Sequence, residues 1–140
     1  LLNISQCIIY INYKNKLMNI YDELIKKNYP VDYIHGDICK EERESKLSDF
    51  KNGKTRILLS TDLLARGIDI QQLNLVINFD LPKSKETYIH RIGRSGRYGR
   101  KGVAINFITN REIYYLKELE EYYKIQINDL PQNITEIFNI

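Results

Sequence analysis

The stretch Gln6-Cys7-Ile8-Ile9-Tyr10-Ile11 is a short apolar run rich in β-branched side chains, which predicts a buried strand. Residues 13–27 follow with apolar side chains at helical spacing, which predicts an amphipathic helix with Asn12 as its N-cap. Pro30 then interrupts the helical pattern. The predicted inward face of this helix consists of Leu17, Ile20, Tyr21, Leu24 and Ile25.

The same alternation of strand and helix repeats to the end of the chain. Further strands are predicted at residues 31–35, 56–60, 75–79 and 103–108, and helices at residues 40–50, 84–92 and 111–123. Leu47 and Phe50 should face inward from the second helix, and Ser84 should cap the third. The pattern Ile125-Gln126-Ile127 fits a short edge strand, and a brief helical turn is predicted after Pro131. Apolar strands alternating with helices predict a single α/β domain whose parallel sheet is sandwiched by helices.

In a parallel sheet of this kind, ligands bind beyond the carboxyl ends of the strands. The functional loops are therefore expected after Ile11, His35, Ser60 and Phe79. The loop after the second strand begins with Gly36-Asp37, which predicts a turn.

Composition favours one soluble domain. The chain has 140 residues, 43% of them hydrophobic and 28% charged, and no apolar run approaches the roughly 18 residues that a membrane span needs. Cys7 and Cys39 are too few for a disulfide framework or a zinc cluster, so both should be reduced thiols of a cytoplasmic or nuclear protein. The sequence begins at Leu1 without an initiator Met or a signal-peptide pattern, so we expect a piece of a longer chain.

Positive charge is concentrated in one segment. The net charge is only +3, but the segment from residue 83 to residue 101 contains seven cations and a single anion, Glu86. The cations are Lys83, Lys85, Arg91, Arg94, Arg97, Arg100 and Lys101. Such a basic patch favours phosphate partners, although a solvated charged face has the same composition.

Gly53-Lys54-Thr55 resembles the end of a phosphate-binding P-loop, but its context excludes that interpretation. Ser48 stands where the first P-loop glycine is needed, and the run follows a predicted helix and precedes a strand, the reverse of the P-loop order. Gly53 is instead predicted to end the helix. No Asp-Glu-Ala-Asp run occurs either, so this sequence lacks the usual residues for holding Mg²⁺ and ATP phosphates.

Residues 90–100 carry arginines at every third position, close to glycines. Arg94 and Arg97 lie about one helical turn apart, so both can point the same way, and guanidinium groups suit the charge on a transferring phosphoryl group. This pair predicts arginine fingers. The alternative is a disordered Gly/Arg segment that binds RNA loosely, and the apolar residues on both sides argue against it.

His90-Arg91-Ile92-Gly93-Arg94-Ser95-Gly96-Arg97 resembles the sixth motif of DEAD-box RNA helicases, and residues 60–69 resemble their fifth. Residues 8–12 occupy the place of the fourth motif, and His35-Gly36-Asp37 also fits. Order and spacing agree along nearly the whole chain, with the greatest similarity to the eukaryotic initiation factor 4A branch. The resemblance implies that residues 1–140 are the C-terminal RecA-like domain of an ATP-dependent RNA helicase, inactive without its N-terminal ATP-binding domain.

The resemblance also implies roles at the nucleotide. Arg94 and Arg97 would be arginine fingers acting on the γ-phosphate of ATP, whose phosphates and Mg²⁺ the N-terminal domain would hold. His90 would bridge to an acidic motif of that domain, unless it is a buried histidine with satisfied hydrogen bonds. Asp69 would accept a hydrogen bond from the ribose, and Arg66 would help order the closed interface. The implied nucleotide-binding stretch contains Arg66, Gly67 and Asp69.

The RNA-backbone contacts implied by the resemblance are Asn12, Gly36, Asp37, Arg43, Thr61 and Asp62. Thr61 and Asp62 follow the third strand, where a hydroxyl and backbone N–H groups can hold a phosphate, while Thr61 could also serve as an N-cap. Lys40 replaces the glutamine of the family's Gln-x-x-Arg pattern, so the hydrogen bonds of an amide are lost there. None of these contacts reads a base edge, so affinity without sequence preference is expected.

The implied mechanism is closure of two domains around ATP and single-stranded RNA, which kinks the RNA and opens a duplex locally. The expected partners are single-stranded RNA, the protein's own N-terminal RecA-like domain and scaffold proteins that bridge the two domains of a monomer. Translation initiation, mRNA surveillance and ribosome assembly all employ such relatives. Two alternatives stay open, namely a non-enzymatic RNA-binding module of the same fold and a DNA-directed motor.

Overall fold

The computed structural model describes residues 6–62, 73, 75–92 and 103–130. Its strands are β1 (Cys7–Tyr10), β2 (Val31–Ile34), β3 (Ile57–Ser60), β4 (Leu75–Asn78) and β5 (Val103–Asn106). Its helices are α1 (Lys14–Lys26), α2 (Lys40–Lys51), α3 (Lys85–Ile92) and α4 (Ile113–Tyr123), with a 3₁₀ turn at Asn110–Glu112 before α4. None of the helices in these ranges is long and apolar enough to cross a membrane.

The five strands form one parallel sheet in the order β2-β3-β1-β4-β5. The register aligns the last residues of the strands, so Ile34, Ser60, Tyr10, Asn78 and Asn106 stand in one row across the sheet. The carboxyl ends of all five strands therefore meet at a single edge. The predicted fold class, a parallel sheet with helices packed against it, is confirmed.

Apolar clusters hold helices against the sheet. The cluster under α1 contains Ile11, Leu17, Val31 and Leu59. The cluster under α2 contains Ile8, Tyr10, Ile34, Leu47, Phe50, Leu58, Leu73 and Val76. Because successive side chains of a strand point to opposite faces, the neighbours Leu58 and Leu59 belong to different clusters. The predicted inward positions of Leu47 and Phe50 are confirmed.

A third apolar cluster joins α3 to α4. Tyr88 of α3 and Leu119 of α4 are buried there together with Leu81. Ile125 and Ile127 pack against this cluster instead of pairing with a strand, so the edge strand predicted at these residues is wrong. The N–H of Ile127, which a strand would need for pairing, donates instead to a carboxylate of α4 over 3.1 Å.

Two expectations for α1 are wrong. Its N-cap is Tyr13, which makes no capping hydrogen bond with its side chain, because the amide of Asn12 is bound elsewhere. Ile25 was expected to face inward, but it is 44% exposed. It lies about 80° around the helix from Leu17, at the margin of the stripe that contacts the sheet.

Gly53 ends α2 as predicted. Its φ of +81° lies in the left-handed region, its N–H donates to the carbonyl of Phe50 over 3.1 Å, and the N–H of Lys54 donates to the carbonyl of Asp49 over 2.9 Å. These two bonds form the Schellman motif that commonly closes helices. The glycine-lysine pair therefore follows a helix and precedes β3, which confirms that it is not a P-loop.

The two thiols have different surroundings, and both are free. Burial raises the pKa of the Cys7 thiol to about 11, so this sulfur is an inert part of the core at neutral pH. Cys39 is exposed and caps α2, since its Sγ accepts a hydrogen bond from the N–H of Glu42 over 3.5 Å. A cap of this kind is weaker than a hydroxyl or carboxylate cap because sulfur is a weak acceptor.

Replacing Gly53 with alanine should destabilise the domain by about 1 kcal/mol, because an L side chain in the left-handed region carries a penalty of roughly that size. No heavy atom lies within 4 Å of the position a Cβ would take, so backbone conformation and not a clash sets the loss. Gly53→Asn is the matched control and should lose less, since asparagine tolerates this conformation better. Urea unfolding measures the difference, and equal losses for alanine and asparagine would contradict this role for the glycine.

Candidate functional site

The loops that follow β1, β2, β3 and β4 all lie at the carboxyl edge of the sheet, where the sequence predicts the functional loops. The polar residues they bring to this edge include Asn12, Asp37, Asp62 and Asp80. Lys14 and Lys16, in the first turn of α1, form ion pairs with Asp37 and Asp80. The start of α1 is therefore tied to the loops that follow β2 and β4.

Arg91 of α3 is the residue that connects most of this edge. Its Nε donates to Oδ1 of Asp62 over 2.9 Å, and its Nη2 donates to the same carboxylate and, over 2.8 Å, to Oδ1 of Asn12. Its Nη1 donates to the backbone carbonyl of Asp80 over 2.7 Å and to Oδ1 of Asn78 over 3.2 Å. A single side chain thus binds the ends of β1, β3 and β4.

The guanidinium of Arg91 has no exposed surface, whereas the carboxylate of Asp62 is 48% exposed. Removing a cation from water costs several kcal/mol unless every donor finds an acceptor. The acceptors named above meet that condition, and the ring of Tyr10, centred 4.8 Å from the guanidinium carbon, adds a cation–π contact. The predicted basic patch therefore needs a correction, because Arg91 belongs to the interior and not to a phosphate-binding surface.

A ladder of polar side chains continues from Arg91 into the sheet. Asn78 and Asn106 are partners in the β4–β5 register, and Nδ2 of Asn78 donates to Oδ1 of Asn106 over 2.8 Å. Asn106 in turn donates to the hydroxyl of Tyr88 over 3.1 Å. Since Tyr88 and Arg91 are one turn apart on α3, the helix is fixed to the sheet by two polar anchors.

Asn12, a predicted RNA contact, uses its side chain inside the domain. Its Nδ2 donates to the carbonyl of Leu81 over 2.8 Å, and its Oδ1 accepts from Arg91. Its backbone N–H donates to Oδ2 of Asp80 over 2.9 Å. These bonds explain why Asn12 does not cap α1. They also join the loop after β1 to the loop after β4.

Asp37 and Gly36, two further predicted RNA contacts, are both exposed in the turn after β2. The N–H of Asp37 donates to Nδ1 of His35 over 3.1 Å, and the His35 ring stacks on Tyr33. The Lys14 ammonium, through a hydrogen bond and its charge, lowers the pKa of the Asp37 carboxyl. The turn therefore presents an ionised carboxylate already bound to a lysine.

Thr61 and Asp62 lie at the end of β3, as predicted. The N–H of Thr61 donates to the carbonyl of Ile34 over 3.2 Å, and its own carbonyl accepts from the hydroxyl of Ser60 over 2.6 Å. The backbone N–H of Thr61 is thus bound to β2, and its carbonyl is bound to the preceding residue of its own chain segment. The carboxylate of Asp62 is occupied by Arg91.

Arg43 and Lys40 lie on the first turn of α2. Arg43 is half-buried, while Lys40 is exposed and pairs with Glu44 one turn along the helix, 3.9 Å away. The lysine that replaces the family's glutamine therefore faces an acidic neighbour on its own helix, an exposed pair of small energetic weight.

His90 is exposed near the end of α3, so the alternative of a buried histidine is wrong. Its Nε2 lies 3.6 Å from Oε1 of Glu86, one turn earlier on the helix. The imidazole is therefore accessible to a group from another domain.

The remaining predicted site residues lie outside the described ranges. They are Arg66, Gly67, Asp69, Arg94 and Arg97. Within the described ranges, no three His, Cys, Asp or Glu side chains are grouped so that they could hold a metal ion. Of the residues predicted to act at the nucleotide, His90 is the one within the described ranges.

Sequence reasoning missed the structural role of Arg91, which it treated as one of several surface cations. Two signals could have revealed it. Arg91 lies three residues after Tyr88, so it occupies the apolar face of a predicted helix. Asn78 and Asn106 also lie within predicted strands that are otherwise apolar, and amides removed from water need polar partners.

Comparison with known sequences gives one consistent result. The profile of the family described as "Helicase conserved C-terminal domain" matches residues 1–99. The ATP-dependent RNA helicase eIF4A of Kluyveromyces lactis is 49% identical over 138 residues, covering 99% of this chain and 35% of the relative. The ATP-dependent RNA helicase FAL1 of Saccharomyces cerevisiae is 53% identical over 136 residues, covering 97% of this chain and 34% of the relative. The chain thus spans about a third of these relatives.

Solved structures agree with the sequences. S. cerevisiae Dbp5 bound to RNA and ADP BeF3 has a TM-score of 0.89 at 33% identity, covering 98% of this chain and 39% of that chain. A structure of the C-terminal domain of the DEAD-box protein Dbp5 has a TM-score of 0.84 at 36% identity, covering 99% and 81%. Both fold and sequence therefore place the chain among C-terminal RecA-like domains of DEAD-box proteins.

The ion pair between Lys14 and Asp37 can be tested by titration. A depressed carboxyl pKa means that the pair is formed above the ordinary carboxyl pKa and is lost as pH falls through the folded-state value. In Lys14→Ala the pKa of Asp37 should rise toward its usual range, as followed by NMR of the side-chain carboxyl carbon. Lys16→Ala is the control, since Lys16 pairs with Asp80. An unchanged Asp37 titration in Lys14→Ala would refute the pairing.

Proposed function

This chain belongs to the family of helicase conserved C-terminal domains, and we propose that it is one half of an ATP-dependent RNA helicase of the DEAD-box class. In this proposal it supplies arginine fingers and RNA-backbone contacts, and an N-terminal RecA-like domain supplies the ATP-binding pocket. ATP-driven unwinding or remodelling of RNA is the activity of the two halves together. Translation initiation or RNA processing is the proposed setting, as the likeness to eIF4A suggests.

The observation that carries the proposal is the meeting of three motifs at one edge of the sheet. Asn12 ends the fourth motif, Asp62 is the third residue of the fifth, and Arg91 belongs to the sixth. Arg91 binds the other two through hydrogen bonds, so the segments expected to touch RNA and the segment expected to touch ATP share one polar network. A ligand edge of this kind is where open α/β sheets bind their substrates.

On the nucleotide side, Arg94 and Arg97 are proposed to stabilise the charge that develops on the γ-phosphoryl group during transfer. Both follow α3 closely in the sequence, and His90, exposed on its last turn, is proposed to contact the acidic motif of the N-terminal domain. Arg66, Gly67 and Asp69 are proposed to hold the ribose and order the closed interface. Mg²⁺ is assigned to the N-terminal domain, because this sequence contains neither a P-loop nor an acidic box.

On the RNA side, the proposed contacts are the hydroxyl of Thr61, the turn at Gly36-Asp37, and Arg43. Asn12 and Asp62 are proposed to act at the same surface while held by Arg91. Contacts of this type bind phosphates and riboses, so affinity should be independent of base sequence and should weaken with salt. Dbp5, a structural relative, is described as bound to RNA and ADP BeF3, and we extend this pair of ligand classes to the present chain.

A protein partner is also proposed. Dbp5 L327V is described as bound to Gle1 H337R and IP6, which supports the proposal that a partner protein binds the present domain. We propose that this partner is a scaffold that bridges the two halves. The protein is proposed to act as a monomer in the cytoplasm or nucleus.

Replacing either proposed finger should nearly abolish activity. Arginine fingers accelerate phosphoryl transfer by about 10³ to 10⁵, so Arg94→Ala and Arg97→Ala in the full-length protein should lower RNA-stimulated ATP turnover by about 10³ or more. Arg111→Ala, which removes an exposed arginine before α4, is the matched control and should turn over normally. Near-normal turnover in both finger variants would defeat the assignment, and circular dichroism of this domain checks that each variant is folded.

Nucleic-acid preference separates the proposal from its two alternatives. Matched single strands of RNA and DNA should compete unequally for the full-length protein, and only RNA should stimulate ATP turnover. The logarithm of RNA affinity should fall linearly with the logarithm of salt concentration, by about 0.7 per phosphate contact. Equal stimulation by DNA would favour a DNA-directed motor. RNA binding without any ATP turnover would favour a non-enzymatic module.

A further inference from the structure

We propose that Arg91 is a positioning residue that couples the RNA-contact loops to the arginine-finger segment. This inference deepens the proposed function and rests on it. Arg91 itself has no exposed surface, so its side chain is shielded from direct contact with RNA or nucleotide. Its effect on the reaction would be exerted through Asn12 and Asp62 on one side and through the last turn of α3 on the other.

The first reason is that the hydrogen bonds of Arg91 use the whole guanidinium. The side chain has five N–H donors in a rigid plane. The five bonds observed are one from Nε, two from Nη1 and two from Nη2, so each donor has its own acceptor oxygen or shares the carboxylate of Asp62. A group held from all sides in this way cannot shift without breaking a bond, so displacement of any partner is transmitted to the helix.

The second reason is the identity of the partners. Asn12 and Asp62 belong to loops after β1 and β3 that are proposed to meet RNA, and both bind the same nitrogen, Nη2. A phosphate bound to these loops would move the two oxygens that accept from Nη2, or would break their hydrogen bonds to it. The carboxylate of Asp62 is half exposed, so it is the partner that a bound phosphate would disturb most directly.

The third reason is the place of Arg91 on α3. Its neighbour His90 and the helix end at Ile92 lie within one residue of it, and the segment with Arg94 and Arg97 follows. One turn earlier, Tyr88 anchors the same helix to β5 through Asn106. With the middle of the helix fixed at Tyr88, motion of Arg91 would reorient the last turn, which leads in the sequence to the proposed fingers.

A purely stabilising role is the competing explanation, because a buried ionic network also supports the fold. The two explanations differ in what they do to RNA stimulation. Lost stability lowers RNA-free and RNA-stimulated turnover in proportion to the unfolded fraction. Lost coupling lowers the ratio of the two rates and raises the RNA concentration needed for half-maximal stimulation.

The test uses Arg91→Lys, Asp62→Asn and the double variant in the full-length protein. Lysine keeps the positive charge of Arg91 but lacks the five coplanar N–H donors of a guanidinium. Asparagine keeps the shape of the Asp62 side chain but removes its charge. Arg111→Lys, in the exposed turn before α4, is the control for the same exchange at a residue outside the network. RNA-free turnover, maximal stimulated turnover and the RNA concentration for half stimulation are measured, with thermal unfolding of each variant.

Arg91→Lys should lower the ratio of stimulated to RNA-free turnover on the order of tenfold, a common size for coupling between sites, while leaving RNA-free turnover unchanged. Asp62→Asn, which also changes a proposed RNA contact, should lower this ratio at least as far. The double variant should lose little more than one single variant, because both changes break the same network. Parallel loss of both rates, additive losses in the double variant or unaltered stimulation would each overturn the inference. If Arg91→Lys fails to fold, Asn78→Leu decides by the same ratio, because it removes an acceptor of Arg91 Nη1 at a buried position that is not a proposed RNA contact. Absence of RNA stimulation in the unmodified protein would instead reject the proposed function.

Discussion

A guanidinium without exposed surface is the constraint around which the carboxyl edge of the sheet is built. Arg91 is stable there only because carboxylate, amide and carbonyl oxygens from three strand ends converge on it. That requirement fixes the loops after β1, β3 and β4 relative to one another and to α3. Changes in any of these loops therefore affect the others, although they are distant in sequence.

The parallel sheet makes this convergence possible. Because the strands run in one direction and end in the same row, polar residues that lie far apart in the chain arrive at a common edge. The faces below the edge are apolar, and the described polar groups of the edge bond to one another, to Arg91 and to neighbouring loops. Lysines at the start of α1 complete the arrangement by neutralising Asp37 and Asp80.

Much of the fold follows from local patterns in the sequence, and much of the site does not. Apolar runs and helical periodicity locate β1 to β5 and α1 to α4, and Gly53 ends α2 for a reason readable from its residue type alone. Long-range polar pairing cannot be read this way. Asparagine is a residue type that commonly caps helices, but the side-chain oxygen of Asn12 accepts a hydrogen bond from Arg91, which is distant in the sequence. Ile125 and Ile127 had strand-like alternation, but burial against α3 and α4 was the stronger influence.

The most direct measurement of the central claim is NMR of the Arg91 side chain in this domain. A guanidinium whose five N–H groups are all bound and shielded from water should give separate, slowly exchanging signals for Nε and both Nη nitrogens at neutral pH. Those signals should shift together when Asp62 is replaced by asparagine. A single averaged signal in fast exchange with water, like that of an exposed arginine, would contradict the account.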